Sequence, residues 1–400
     1  MSSASPQTPH APATPSAPRS RAPRLHEIDV VRILTFACVI GVHTTSHTVA
    51  STDVPLYGLL ALLHFTRQVF FALTAFVLAY GYFAKAAPAP FLRSLPRRLL
   101  LVGVPYVTWS VIYFAASNLR SPHYTFGEAL AALGLHLVQG TAWYHLYFLL
   151  VTMQVYVLFP VFLWVVRKTA RFHWLLLSLA FAYQLVITWF YRYSAHSLGF
   201  VSAHSKSLFV SYIFFILAGT VAAYHAKEFL AWVRSHRGVV AIITAATGVG
   251  TLVFFGVSIA NGVSLYRAGT PLQPVIMVWA VGVGLGFLAF GTWWADRRVE
   301  GSSLARGVAV VSDRSFGIFL AHPMILWLML FVGDDWVEGH VPTPWLTLVC
   351  YVIVVLLAYG ISTVARRTPV SLPLAWRPWR ARRRGPAGPA VAKPADAATA

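Results

Sequence analysis

The run VVRILTFACVIGVHTTSHT, residues 30–48, is apolar over a length that decides the class of fold. A helix needs about 20 mostly apolar residues to cross the roughly 30 Å hydrocarbon core of a bilayer. More runs of this kind follow along the 400-residue chain, in which 58% of the residues are hydrophobic and 11% are charged. So few polar residues cannot cover the surface of a water-soluble protein of this size. The sequence therefore predicts an integral membrane protein.

Apolar runs recur along the chain and predict an all-α fold, a polytopic transmembrane helical bundle of about ten spans. The runs are residues 30–48, 60–83, 99–116, 142–166, 174–191, 208–224, 239–260, 271–294, 304–331 and 345–364. In residues 125–139, Leu, Ala and Phe alternate with a few polar residues, which indicates a short helix lying in the membrane interface.

The two ends of the chain differ in composition from its apolar middle. Residues 1–24 and 367–400 are rich in Pro, Ala and Arg, so we expect a disordered tail on either side of one membrane domain, residues 25–366. The first tail has no apolar core of its own. We therefore expect no cleaved signal peptide, and the first span would act as an uncleaved anchor.

The formal net charge is +19, from 31 Lys and Arg against 12 Asp and Glu. In a water-soluble protein this excess would suggest a nucleic-acid partner. Here almost all of the Lys and Arg fall in the two tails and in alternate connections, which the positive-inside rule explains. Only Arg120, Arg192, Lys206 and Arg267 fall in the other connections. We expect a multi-pass protein of the cell membrane with both tails in the cytoplasm, in contact with lipid and without a nucleic-acid partner.

The first span carries ionisable groups that are costly inside a bilayer unless they are paired or hydrated. Asp29 and Arg32 are three residues apart, a spacing that allows an ion pair on one helix face, which would also suit a salt bridge at the helix end. His43 follows Arg32 by eleven residues, so both project from nearly the same side, about 16 Å apart. With His47 they form a polar stripe. A single intramembrane histidine is more often a packing residue, but the arginine on its face favours proton exchange by His43.

Other spans carry further candidate residues. Arg67 lies in the second span, where it either faces the same polar interior or extends its guanidinium to the interface. His145 opens the fourth span, and His322 lies in the ninth, where Pro323 predicts a kink. Together with His43, the two histidines are candidates for lining one hydrated cavity.

Three arginines, Arg93, Arg97 and Arg98, stand just before the third span. Membrane topology alone explains them, and a cradle for an anionic phosphate group arriving from the cytoplasm is the alternative. The spans contain no paired carboxylates, Gly-rich phosphate loop, serine nucleophile elbow or metal-ligand spacing. The sequence therefore predicts neither the common chemistries of soluble enzymes nor a metal cofactor.

Five segments resemble, in order, the motifs of acyltransferase family 3, which includes bacterial O-antigen and cell-surface polysaccharide O-acetyltransferases. They are IDVVRILTFACVIGVH (28–43), RQVFFALTAFVLAYGYF (67–83), FLRSLPRRLLLVGVPYVTWS (91–110), WYHLYFLLVTMQVYVLFPVF (143–162) and SDRSFGIFLAHPMIL (312–326). Each motif alone is loose, but five in order over most of the chain are specific. Thr74 and Ala75 depart from the family's usual Ser-Gly.

The resemblance implies a membrane-bound O-acyltransferase with ten helices and a cytoplasmic acyl-coenzyme A donor, usually acetyl-coenzyme A. The acceptor would be a hydroxyl of an extracytoplasmic glycan, glycolipid or secreted metabolite. Carried over by motif, His43 is the essential histidine and Arg32 its companion. The arginine motif would hold the phosphates of the donor, but its spacing here is Arg-x-x-x-Arg-Arg, so which two arginines act stays open. Asp29, Arg67, His145 and His322 are the further candidates for the substrate cavity.

A secondary transporter or exporter of a small anionic or glycosidic substrate is the alternative from a different class. Transporters also concentrate charge within the membrane, but they commonly show repeated halves with broken helices at matched positions. The sequence shows no such repeat, and its polar features crowd into the first three spans. Protection of the protein from heat by coenzyme A would favour the enzyme.

Overall fold

The computed structural model describes residues 24–84, 91–120, 124–340, 342–375 and 377, with side chains 332–340 excepted. These residues form two short 3₁₀ helices, Ala195–Leu198 and Phe209–Tyr212, and a series of α-helices. The α-helices are α1 (His26–Thr48), α2 (Val54–Leu63), α3 (Thr66–Phe83), α4 (Phe91–Arg120), α5 (Phe126–Gln139), α6 (Tyr147–Lys168), α7 (His173–Tyr193), α8 (Gly199–Ala203), α9 (Ile213–Tyr224), α10 (Ala226–Ser235), α11 (Arg237–Ala260), α12 (Leu265–Ala268), α13 (Pro274–Arg297), α14 (Ser303–His340), α15 (Thr343–Ala365) and α16 (Ser371–Ala375).

Within the described residues, 9 helical stretches are long and apolar enough to cross a membrane. The helices α2 and α3 count together as one of these, Val54–Phe83. A tenth span results if α9, with the 3₁₀ turn before it, is joined to α10, because the chain bends by 94° between them. The predicted all-α, polytopic bundle in the membrane is confirmed, and the bent span is the one predicted at residues 208–224.

Helix α1 lies at the centre of the bundle, where it contacts α3, α13, α14 and α15. Small residues let neighbouring backbones approach closely, as is common between membrane helices. A Cβ atom at Gly219 on α9 would lie 2.1 Å from the carbonyl oxygen of Ala72 on α3. A Cβ atom at Gly291 on α13 would lie 2.6 Å from the carbonyl oxygen of Glu27 on α1. Glycine at these two positions therefore allows α9 to pack closely against α3 and α13 to pack closely against α1.

Ion pairs join the helices at the end of the bundle where α1 begins. The Nη2 atom of Arg234 on α10 donates to Glu27 at 2.7 Å, and its Nε atom donates to Asp296 on α13 at 3.2 Å. Glu27 is buried, so its carboxylate needs this charged partner. The bend between α9 and α10 is thereby tied to the first turn of α1.

The folded chain continues past residue 366, where we expect the membrane domain to end. Helix α16 packs against α4 and α14, and its Ser371 and Ala375 are buried. Arg366 and Arg377 both pair with Asp313 on α14. Of the two tails expected at residues 1–24 and 367–400, residues 1–23, 376 and 378–400 lie outside the described residues.

Candidate functional site

The helix α1 carries candidate residues near both of its ends. Arg32 stands in its second turn, and His43 stands about one turn before its last residue, Thr48. At 1.5 Å per residue, the two positions are about 16 Å apart along the helix axis. Two separate sites therefore share one helix, and each is described in turn.

Three histidines that are far apart in sequence meet near the C-terminal end of α1, and we call them the histidine cluster. The ring of His322 on α14 lies 5.3 Å from that of His43 and 5.7 Å from that of His145, between centroids. His322 is fully buried and His145 is 2% exposed. Both ring nitrogens of His145 are buried without a hydrogen-bond partner among the described residues. The structure thus brings together the three histidines singled out in the sequence.

Pro323 determines which nitrogen of His322 is available. Proline has no backbone N–H, so the carbonyl of Phe319, four residues earlier, lacks its helical partner. The Nδ1 atom of His322 lies 2.7 Å from that carbonyl oxygen. Because a carbonyl only accepts, Nδ1 must carry the hydrogen, which leaves the lone pair of the neutral ring on Nε2. This Nε2 atom is buried without a partner among the described residues.

The hydroxyl of Tyr113 on α4 completes the hydrogen bonding of α14 just beyond this break. It donates to the carbonyl of Leu320 at 2.8 Å and accepts from the N–H of Met324 at 3.1 Å. In a regular helix these two groups would bond to each other, since the N–H of each residue donates to the carbonyl four residues back. The Tyr113 ring also packs edge-on against His145, with centroids 5.2 Å apart. Tyr113 therefore links the interrupted helix to the histidine cluster.

Tyr144 covers the histidine cluster on one side. Its ring lies 4.6 Å from that of His43 and 5.3 Å from that of His47. Tyr144 also lines a cavity of about 370 Å³, together with Trp143 and Asn118. Aromatic faces with a few polar groups are typical of pockets that bind small molecules.

A cavity of about 410 Å³ lies at the N-terminal end of α1, and we call it the arginine cavity. Its basic lining residues are Arg32, Arg98 on α4 and Arg377. An adjoining cavity of about 370 Å³ shares Arg32 and Arg377 and is also lined by Arg24 and Asp29. A guanidinium binds phosphate oxygens through paired N–H donors, so this end of the bundle suits an anion.

The predicted ion pair between Asp29 and Arg32 does not form, because the carboxylate has other partners. Asp29 accepts from Nε of Arg24 at 2.8 Å and from Oγ of Ser312 at 2.7 Å. Arg32 has neither a hydrogen bond nor an ion pair with any described residue, and it lines both cavities. Its guanidinium is thus available to a ligand.

Of the three arginines before the third predicted span, only one lines the arginine cavity. Arg98 lies over the ring of Phe91, 5.1 Å from its centroid, and donates from Nε to Ser94 at 3.1 Å. Arg93 and Arg97 are exposed on the outside of α4. Of these three arginines, the structure therefore places Arg98 alone in the lining of the arginine cavity.

Four phenylalanines separate the arginine cavity from the histidine cluster, and we call them the phenylalanine layer. Phe36, Phe70, Phe148 and Phe319 come from α1, α3, α6 and α14, and all are buried. Their rings form a closed circuit, with centroids 5.1, 4.1, 5.4 and 5.6 Å apart in that order around it. Phe36 and Phe70 line the arginine cavity, while Phe319 packs against His145 and His322.

Arg67 lines a fourth cavity, of about 300 Å³, at the same end of the bundle as His43, and we call it the Arg67 cavity. Its wall also includes Ser46, which stands one turn after His43 on α1, and Lys206. Arg67 therefore lies in the wall of a cavity that contains neither Arg32 nor His43 among its described lining residues.

Several residues that shape these sites carry no signal in the sequence. Tyr113, Tyr144 and the phenylalanine layer look like ordinary apolar residues of spans, and only their positions in space set them apart. Arg377 falls in the stretch expected to be a disordered tail, yet it lines the arginine cavity. His322 and Pro323 are the exception, because a histidine followed by proline in a span is visible in the sequence. Across the described residues, no group of His, Cys, Asp or Glu is arranged to hold a metal ion.

Comparison with known proteins gives one match. The sequence model of a protein family, described as an acyltransferase domain, covers residues 25–363. No curated protein and no solved structure matches the chain significantly.

Proposed function

The chain belongs to acyltransferase family 3, and on that premise we propose that it moves an acyl group, acetyl by family precedent, from cytoplasmic acyl-coenzyme A to an extracytoplasmic hydroxyl. A membrane acyltransferase is what the family match and the apolar bundle support directly. The donor, the acetyl group and an acceptor that is a glycan, glycolipid or secreted metabolite belong to the proposal.

One observation carries the proposal: a single helix connects a cavity lined by arginines to a buried group of histidines about 16 Å away. Arg32 and Arg98 would bind the phosphates of the donor at one end of α1. Its flexible arm would bring the thioester towards His43 at the other end. If both tails are cytoplasmic, as the distribution of Lys and Arg indicates, the arginine cavity opens to the side where acyl-coenzyme A is made.

His43 would act as the general base in the transfer. Its ring removes the proton from the acceptor hydroxyl while the hydroxyl oxygen forms a bond to the thioester carbonyl carbon. The carbon–sulfur bond then breaks, the thiolate leaves, and the proton held by the imidazole passes to it to give free coenzyme A. The buried surroundings of His145 and His322 exclude water, which favours transfer to the acceptor over hydrolysis.

A covalent route uses the same residues in two steps. The neutral imidazole of His43 attacks the thioester carbonyl carbon, the thiolate leaves and takes up the ring N–H proton, and an acyl-imidazole and free coenzyme A result. The acceptor hydroxyl then attacks that carbonyl carbon and gives its proton to a base, which passes it to the ring nitrogen as the imidazole is released. The unpartnered Nε2 of His322 is the available base in that second step.

The phenylalanine layer gives the acyl group a barrier to cross. Its four rings connect the residues that line the arginine cavity to the rings of His145 and His322. Rotation of one or two rings would admit the arm of the donor with a small acyl group at its tip, whereas a longer chain would need more of the layer to open. The layer therefore favours acetyl over longer acyl groups.

The test uses the purified full chain and labelled acetyl-coenzyme A. We expect coenzyme A to protect the protein from heat, and we expect loss of thioester, either to water or to the protein itself, before any acceptor is known. The variant His43→Ala should lose this turnover and keep the protection. Its matched control is His196→Ala, at an exposed position remote from the cluster in sequence. The absence of both protection and turnover, together with substrate flux in vesicles, would instead support a transporter.

A further inference from the structure

The Arg67 cavity combines two positive charges with no negative charge among the described residues of its wall. Arg67 and Lys206 both line it, and its other lining residues include Ser46, His64 and Thr270 but neither Asp nor Glu. Neither cation forms an ion pair with a carboxylate among the described residues. The ion pairs that the structure does contain lie mostly at the opposite end of α1.

Arg67 is held in place without being neutralised. Its guanidinium carbon lies 5.6 Å from the centroid of the Tyr147 ring, which orients the group through a cation–π contact. Its Nη1 atom is buried and has no hydrogen-bond partner among the described residues. A buried donor left unpaired costs about 1–3 kcal/mol, and more when it is charged.

Lys206 is brought to the same cavity by the segment before α9. The hydroxyl of Tyr212, which is fully buried, donates to the backbone carbonyl of Lys206 at 3.0 Å and so fixes that turn. The pKa of Lys206 is lowered, first because the cavity wall withdraws the amine from water and second because the guanidinium of Arg67 repels its charge. The two cations therefore sense each other across the cavity.

We propose that this cavity is an anion site, in which Arg67 and Lys206 together bind one phosphate or carboxylate group of a ligand. An anion would pair with the unpartnered Nη1 of Arg67 and relieve the repulsion between the two cations, and charged hydrogen bonds of this kind are the strong ones in proteins. Ser46 and Thr270 offer hydroxyls for the neutral part of the same ligand.

The position of the cavity identifies the ligand class, a step that rests on the proposed function. Ser46 follows His43 by one turn on α1, so the cavity opens beside the histidine cluster and away from the arginine cavity. The phosphates of the donor are assigned to the opposite end. The anion therefore belongs to the acceptor, which would be an acidic sugar, a phosphorylated sugar or a phospholipid-linked sugar rather than a neutral glycan.

The test measures anion binding directly and needs no identified acceptor. The full chain is purified in detergent, and its melting temperature is followed with inorganic phosphate, glucuronate and glucose. We expect saturable stabilisation by phosphate and glucuronate and none by glucose. In Arg67→Gln the apparent affinity should fall about ten- to a hundredfold, and Arg67→Lys should recover part of it. The matched control is Arg267→Gln, which removes an exposed arginine nearby that does not line the cavity.

Two further experiments identify the source of the anion and test the anion site separately from the donor site. Stabilisation by phosphatidylglycerol discs over phosphatidylcholine discs, abolished by Arg67→Gln, would assign the site to a lipid headgroup. In Arg98→Gln the glucuronate effect should persist while protection by coenzyme A weakens, so failure of the donor site and failure of the anion site are distinguishable. Wild-type protein that no anion stabilises, or stabilisation that Arg67→Gln leaves unchanged, would overturn the proposal.

Discussion

The two ends of α1 handle buried polar groups in opposite ways. At the N-terminal end, Asp29 and Glu27 are paired with arginines, and the guanidinium of Arg32 remains available to a ligand in the arginine cavity. At the C-terminal end, His145 and His322 are buried with unpartnered nitrogens, and none of the ion pairs among the described residues includes a histidine of the cluster. A cavity lined by arginines suits the binding of phosphates, whereas buried imidazoles with unpartnered ring nitrogens suit proton transfer. The difference predicts that substitutions at the two ends have different kinetic signatures.

The largest effect is expected from His43→Ala. Loss of a general base typically costs about 10²- to 10⁴-fold in rate, so kcat should fall by that amount while the affinity for coenzyme A stays the same. Transfer of labelled acetyl groups and protection from heat by coenzyme A measure the two quantities separately. A variant that keeps kcat within about threefold of wild type would remove His43 from the chemistry.

Arg98→Gln should act on binding rather than on the chemical step. Removing one charged contact to a phosphate should raise KM for the acyl donor about ten- to a hundredfold with little change in kcat. Arg93→Gln is the matched control, because it removes the same charge from the outside of the same helix. Equal effects of the two substitutions would show that general positive charge, and not the arginine cavity, attracts the donor.

Tyr113→Phe tests whether the break in α14 supports the histidine cluster. The substitution leaves the carbonyl of Leu320 and the N–H of Met324 without their partner, so we expect about 1–3 kcal/mol of lost stability and a several-fold lower kcat. Tyr106→Phe removes a comparable hydrogen bond, to the carbonyl of Leu137, about two turns before Tyr113 on α4. Equal loss of kcat in both variants would make the role of Tyr113 one of general stability.

The smallest effect is expected from Phe70→Leu in the phenylalanine layer. A smaller, flexible side chain should loosen the circuit of rings, so that use of propionyl- and butyryl-coenzyme A relative to acetyl-coenzyme A rises a few-fold. Phe290→Leu, at an exposed position on α13, is the control for general loss of packing. An unchanged preference in Phe70→Leu would mean that the layer does not select the acyl group.

The sequence allowed the class of fold and the separate candidate residues to be predicted, because apolar length and costly intramembrane charge are visible in one dimension. His43 and Arg32 could be placed on one helix face by counting residues alone. Their partners could not, since His322 reaches His43 only through the packing of α14 against α1, and His145 joins them only through its contact with His322. The separation of Arg98 from Arg93 and Arg97 likewise depends on which face of α4 meets α16. The bend after Tyr224 reflects packing and an ion pair, and the hydrophobic pattern shows neither.

The central claim is that the donor binds at the end of α1 that carries Arg32, on the cytoplasmic side. Its most direct measurement uses sealed proteoliposomes of a variant in which Cys38 and Cys350 are replaced by serine and Arg93 by cysteine. Labelled coenzyme A and an impermeant maleimide are both supplied only from outside. The account predicts that the fraction of protein binding coenzyme A equals the fraction labelled at position 93, and that in intact cells position 93 is protected from the reagent. Binding that follows the unlabelled fraction, or labelling of position 93 from outside the cell, would contradict it.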